Sequence, residues 1–239
     1  MTITYSFTGI PVRIESLHSM IHELCEDYLS TQPPAISIQT TEEDILAEKE
    51  SAYKTIQRPS SRGYLETLAV QRKLSEALID YDTILFHASA VAVDGKGYLF
   101  TALSGTGKST HARLWREVYG DRVTMINDDK PFIHIGEDEV RVYGSPWDGK
   151  HHLSTNTSVP VKAICILTRD TTNHIEKISA DEAFSILLQQ TYRSKDSAKM
   201  VKTIDLLIQM TRQVSLYRLG CNMDPEAAIV SYEGMNHDS

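Results

Sequence analysis

Residues 100–110 read FTALSGTGKST, in which glycines 105 and 107 and small hydroxyl residues surround a lone lysine, Lys108, directly after the apolar run Tyr98-Leu99-Phe100. A backbone poor in side chains can curl its N–H groups around phosphate oxygens, because residues lacking a Cβ take the required dihedrals and permit close approach. Ala102 to Ser109 fits the P-loop pattern, with alanine at the first position where the strict form has glycine. That pattern assigns nucleotide binding to Ser104, Gly105, Thr106, Gly107, Lys108 and Ser109. Lys108 reaches the outer phosphates as a point charge, the Ser109 hydroxyl ligates magnesium, and a helix opening near Lys108 adds the positive end of its dipole. Thr110 adds a hydroxyl near the nucleotide or serves only the helix start. The competing reading is a glycine-rich turn that happens to precede a helix; the strand before the motif and the helix after it favour the cradle.

Downstream, MINDDKP places Asn127, Asp128 and Asp129 at the end of a strand. Neighbouring strand residues point to opposite faces, so two adjacent aspartates share one site only where the strand is ending, and Pro131 is consistent with an interruption there. Two carboxylates beside a magnesium nucleotide divide labour: one holds the metal or its water, the other accepts a proton from an incoming hydroxyl. An acidic strand-end turn is the plainer alternative. His87, in LFHASAV, is by itself a histidine in an apolar run, ordinarily a satisfied core residue.

The segment GSPWDGKHH gathers Trp147, Asp148, Lys150, His151 and His152 in a predicted loop. Loops held by a rigid sheet often carry specificity, so Trp147 and Lys150 are candidates for gripping acceptor or γ-phosphate; a solvated loop with Trp147 packed down is the alternative. Metal binding by the adjacent His151 and His152 is disfavoured, since neighbours rarely point the same way. Lys130 either neutralises the aspartate pair or the transferring phosphoryl group, or is a surface lysine. Arg113 and Trp115 read as surface or packing residues of the helix after the cradle.

The elements that must position these residues follow from periodicity. Residues 2–15 read as an opening hairpin broken around Gly9 and Pro11, and SLHSMIHELCEDYL places Leu17, Met20, Ile21, Leu24 and Tyr28 at helical spacing. A polar, acidic stretch ending in Pro-Ser-Ser-Arg-Gly reads as a strand plus irregular linker. A second helix runs from Tyr64 to about Tyr81. TILFHASAVAV, DGKG and YLFTAL read as two strands and a turn, STHARLWREVYG as a helix stopped by Gly120, and RVTMIN as a strand. PFIHI and VRVYG form a hairpin. A strand at KAICILT, helices over roughly 180–191 and 195–212, a strand VSLYRLG and a short helix from Asp224 complete the chain. This predicts an N-terminal α+β appendage over residues 1–62 and a nucleotide-binding domain over 63–239, α/β with a mixed sheet and flanking helices.

Composition limits the partners. A net charge of -8 over 239 residues argues against a sequence-independent grip on nucleic acid, which needs a basic face. Cys25, Cys165 and Cys221 are far apart and form no CxxC pair, which reads as reduced thiols of a cytoplasmic protein. No apolar stretch approaches the ~18 residues that span a bilayer, and the first residues lack a signal pattern, so no membrane partner is expected. A homo-oligomer stays open.

The run FHASAVAVDGKGYLFTALSGTGKST followed by INDDKP resembles the nucleotide-binding core shared by HPr serine kinase/phosphorylases and ATP-dependent phosphoenolpyruvate carboxykinases. The resemblance covers residues 85–131 in order, spacing and identity. VYGSPWDGK is also similar to small HPr-kinase-like proteins. The resemblance implies a P-loop core of that type, ATP as donor and Mg2+ as cofactor. It implies that Lys108 binds the β- and γ-phosphates, Ser109 and Asp129 associate with the metal, and Asp128 acts as base toward an acceptor hydroxyl. It moves His87 from the core to a place beside the metal and the transferred group. The implied activity is a magnesium-dependent kinase acting on serine or threonine of a peptide, or on a small alcohol; a nucleotide-binding regulatory or peptide-recognition module is the alternative. Carboxykinases carry a large N-terminal domain with arginines for their dicarboxylate, and the stretch before the cradle here is short, which disfavours carboxylation. The C-terminal signature of HPr kinases is not found after Lys150, which disfavours HPr itself as substrate.

Overall fold

The computed structural model describes residues 1–55, 61–149 and 151–237, with side chains 51–55 left aside; the Pro59-Ser60 part of the expected linker and Lys150 lie outside the described residues. The chain divides into two compact units, Met1–Asp80 and Tyr81–Ser239. The division falls after the long helix that the periodicity places at the head of the second domain.

In the first unit, β1 (Thr2–Phe7) and β2 (Ile10–Glu15) form an antiparallel hairpin, and β3 (Ile36–Gln39) joins β2 in parallel. Helices α1 (Met20–Leu24), α2 (Glu42–Thr55) and α3 (Arg62–Leu78) complete it, with α2 standing where the polar, acidic stretch reads as irregular linker. The helical pattern of residues 16–29 yields only the short α1 and a 3-10 turn at Glu26–Tyr28. The cause is long-range: buried Glu66 of α3 accepts hydrogen bonds from the Leu17 amide at 2.7 Å and the His18 amide at 2.8 Å, holding residues 17 and 18 out of the helix. Ser16 is likewise committed, donating to the His18 carbonyl and bonding His22 Nε2.

The second unit comprises β4 (Thr83–Leu85), β5 (Ser89–Val93), β6 (Lys96–Thr101), α4 (Lys108–Tyr119), β7 (Val123–Asn127), β8 (Phe132–Ile135), β9 (Val140–Tyr143), β10 (Ser158–Arg169), β11 (His174–Lys177), α5 (Ala180–Gln190), α6 (Ser197–Gln213), β12 (Ser215–Cys221) and α7 (Glu226–Asn236). Its mixed sheet runs β4-β8-β9-β10-β6-β5-β7, with β12 parallel to β10 and β11 on the edge of β12. β6, β10 and β12 are parallel neighbours, so their carboxyl ends open on one side, where open α/β sheets bind ligands. Both faces are covered, which is why β5 and β6 are almost continuously apolar. Leu99, Ile164 and Ile166 pack with Leu187, Leu206 and Met210 of α5 and α6; Tyr98, Phe100 and Cys165 pack with Ala112 and Trp115 of α4 and Ala228 of α7. This is a mixed α/β architecture with helices on both sheet faces. Among the described residues no helix is long and apolar enough to cross a membrane.

The run predicted as one strand over TILFHASAVAV is two. β4 pairs with β8, β5 pairs with β6 and β7, and the chain changes partners at residues 86–88. The crossing is pinned by main-chain bonds from Phe86 to Pro131, His87 to Gln190 and Ala88 to Asp129. His87 therefore sits between strands.

On α4, His111 Nε2 lies 3.0 Å from Ser231 Oγ of α7, and Trp115 Nε1 donates to the same hydroxyl at 2.8 Å. Burial pushes the His111 imidazole from 6.5 down to about 3, so it is neutral in the folded protein. The unfolded chain takes up a proton near pH 6.5 that the folded chain refuses. The contribution of this group is full above that pH and is lost as pH falls toward 3, at up to ~1.4 kcal/mol per pH unit. Urea unfolding across this range is expected to show the slope, and His111→Gln, which does not titrate, to flatten it; equal slopes in both proteins would contradict it.

Candidate functional site

The cradle begins where β6 ends. Thr101 and Ala102 are buried, while Ser104 and Gly105 stand exposed. Gly105 has φ +77° and Gly107 φ +122°, backbone that L side chains rarely adopt, so the turn needs glycine at both places. Gly107 is the N-cap of α4 and offers no side-chain cap, which leaves the first-turn amides without a side-chain acceptor, as at helix starts that receive anions. The loop braces itself: Thr106 Oγ1 donates to the Leu103 carbonyl at 2.8 Å, and Arg169 at the end of β10 donates to the Gly105 carbonyl. Lys108 folds back so that Nζ donates to the Ala102 carbonyl at 3.3 Å. Burial pushes this ammonium below its ordinary value and Lys130 adds to the push, against the opposing pull of Asp129 and Asp128.

The aspartate pair is shaped by Asn127, fully buried at the end of β7. Its Oδ1 accepts from the amides of Asp129 at 2.8 Å and Lys130 at 2.6 Å, and its Nδ2 donates to the Ser145 carbonyl at 3.0 Å. This side-chain turn ends the strand and lets consecutive aspartates face one cavity. Asp128 is 8 % exposed, and its Oδ1 accepts from Ser89 Oγ at 2.6 Å. Gly149 packs against it so closely that a Cβ there would lie 3.1 Å from Asp128 Oδ2. His87 Nε2 lies 3.1 Å from Asp129 Oδ1, and Lys130 Nζ 3.9 Å from the same oxygen. Burial alone would raise the Asp129 carboxyl, but the His87 bond and the charges of Lys130, His87 and Lys108 outweigh it and hold the group below its ordinary value. Asn127→Ala removes the acceptor of two amides and strands the Ser145 carbonyl. It is expected to cost about 2–4 kcal/mol, read as a lowered urea midpoint; an unchanged midpoint would show the turn to be set by the strand alone.

These residues meet in one cavity of about 340 Å³, whose wall includes His87, Ser104, Lys108, Ser109, Asp128 and Asp129. Two further cavities flank the cradle. One, of about 470 Å³, lies toward the ends of β10 and β12 and is lined by Thr106, Leu114, Leu167, Arg169, Asn222 and Met223. The other, of about 440 Å³, shares Ser109 and Asp128 with the central cavity.

Trp147 does not stand in the central cavity. It is 6 % exposed and meets Phe132 edge-on at 6.4 Å between ring centroids, the packed-down alternative for that loop. Asp148 is held by the Ser154 amide and hydroxyl and by His152 at 3.0 Å, so it serves the loop. The sequence pattern does not single out Ser89 or Gly149, because their contacts with Asp128 join positions far apart in the chain or depend on close backbone approach. The adjacency of Asn127 to the pair was visible; its turn-forming role was not.

Among known proteins, the family model described as SynChlorMet cassette protein ScmC matches residues 64–226. No curated protein matches. The structure of the Hpr(Ser) kinase/phosphatase from Coxiella burnetii is a similar solved structure, at 10% sequence identity and a TM-score of 0.38, covering 64% of this chain and 95% of that one. With the match spanning residues 64–226, well over half of its length, the chain belongs to the ScmC family.

Proposed function

We propose that the unit Tyr81–Ser239 binds Mg·ATP in the cradle of residues 104–110 and transfers the γ-phosphoryl group to a hydroxyl, with a P-loop core of the HPr kinase and carboxykinase type. The observation that carries this reading is the convergence of Lys108, Ser109, His87, Asp128 and Asp129 on one cavity. The loop amides and Lys108 hold the β- and γ-phosphates, and the 470 Å³ cavity, with Leu114, Leu167 and Met223 on its wall, has the size and apolar lining to receive the base.

Among the described residues no group of three or more His, Cys, Asp or Glu could hold a metal. Magnesium bound with nucleotide needs no such group, because one or two protein oxygens join phosphate oxygens and water. The Ser109 hydroxyl and the ionised Asp129 fit that donor set. Magnesium, when bound, neutralises charge on the β- and γ-oxygens. Asp128 takes the proton of the acceptor hydroxyl, the acceptor oxygen bonds to the γ-phosphorus, and the bond to the bridging oxygen breaks as ADP leaves with that electron pair. His87 holds Asp129 in place and faces the transferring group, with Lys130 as a further countercharge.

A second reading, a nucleotide-binding regulatory module with little transfer, is favoured by the burial of Asp128 and its bond to Ser89, an arrangement that also suits a structural aspartate. Incubation with γ-labelled ATP separates the two. Label on a hydroxyl acceptor supports transfer; stable binding, or label released only to water, supports the module.

A further inference from the structure

The 440 Å³ cavity beside the cradle differs in chemistry from the other two. Its wall includes Ser109, Arg113, Arg116, Met125, Asp128 and His151, and Asp128 is the sole carboxylate among the described lining residues. Arg113 and Arg116 stand three residues apart on α4, which stacks them on one helix face. Arg116 has no ion pair or side-chain hydrogen bond among the described residues. Among the described residues Arg113 pairs only with Glu117 one turn along, in an exposed bridge of the kind that contributes little and yields easily. Beneath them Ala112 and Met125 are buried and form an apolar floor.

These guanidiniums are poorly placed for the nucleotide. At the helical rise, the Cα atoms of Arg113 and Arg116 lie about 7.5 Å and 12 Å along the axis from that of Lys108, and neither residue is among the described lining of the central cavity. They are well placed for a second anion. A guanidinium pair matches carboxylate or phosphate oxygens in a fork geometry, and the volume falls in the range of small-molecule sites. Asp128 and Ser109 border both this cavity and the central one, so a ligand filling it has one end beside the site of transfer.

We propose that this cavity is the acceptor site and that the acceptor is a small hydroxy acid, its anionic group held by Arg113 and Arg116 and its hydroxyl presented to Asp128. The proposal rests on the phosphoryl-transfer reading. It is tested on the full chain with γ-labelled Mg·ATP and matched probes: glycerate, lactate and malate beside glycerol and propanediol, with a serine peptide flanked by acidic residues as a separate arm. Label is expected on the hydroxy acids and not on their neutral counterparts. Arg116→Gln and Arg113→Gln are each expected to raise KM for the labelled acid by about tenfold or more while the Kd for Mg·ATP is unchanged. Equal labelling of acid and neutral probe, label on the peptide alone, label on none in a protein that binds Mg·ATP, or an unchanged KM in both variants would each overturn the assignment. A titration of Mg·ATP into the wild-type protein is read separately, and failure to bind there overturns the transfer reading as well.

Discussion

Lys108→Ala is expected to weaken Mg·ATP binding by about 100-fold or more, a loss of ~3 kcal/mol from the charge-assisted bonds of one ammonium to two phosphates. The same substitution should leave folding stability unchanged or raised. In the structure the ammonium is half-buried, is pushed toward its neutral form by that burial, and makes one 3.3 Å bond to a carbonyl of its own loop. A lysine kept for structure would show the reverse: lower stability and little effect on nucleotide. Calorimetric titration with Mg·ATP and urea unfolding of the same two proteins distinguish these outcomes, and Mg·ATP affinity that survives the substitution would remove Lys108 from the site. Lys108→Arg is not a conservative control, because a planar fork replaces a compact charge inside a loop fitted to the smaller group.

Asp128→Asn is expected to retain Mg·ATP affinity and to lower transfer by about 100- to 10,000-fold, the range for removing a general base. Its fold should persist, since the amide oxygen can still accept from Ser89 Oγ where Oδ1 does now. The buried position makes the comparison informative. If Asp128 only ends a strand, the variant loses stability and nucleotide affinity together; if it takes the acceptor proton, single-turnover transfer collapses while binding and the urea midpoint hold. Transfer at the wild-type rate would move the proton acceptor elsewhere.

The glycine-rich loop and its flanking strand and helix are legible because their geometry is local: glycines at positive φ and one helix start, all within residues 102–110. β-rich runs joined by glycine-bearing turns likewise mark the hairpins β5-β6 and β8-β9, and helical spacing marks the helices that cover the sheet. Features set by distant partners were not legible. The split of the strand around His87 follows from β4 pairing with β8 rather than with the neighbours of β5. The shortening of α1 follows from Glu66, separated from Leu17 by 49 residues. The burial of Trp147 depends on where Phe132 lies across the loop. Arg116 carried no signal in the sequence, since an arginine on an amphipathic helix ordinarily faces solvent; its interest comes from the cavity it lines.

The most direct measurement is a crystal structure of the full chain with magnesium and a non-hydrolysable ATP analogue. The β- and γ-phosphates are expected within hydrogen-bond reach of the amides of residues 105–109, with Lys108 Nζ drawn off the Ala102 carbonyl onto them. An analogue bound elsewhere on the chain, or Lys108 still resting on Ala102 beside an ordered triphosphate, would contradict it.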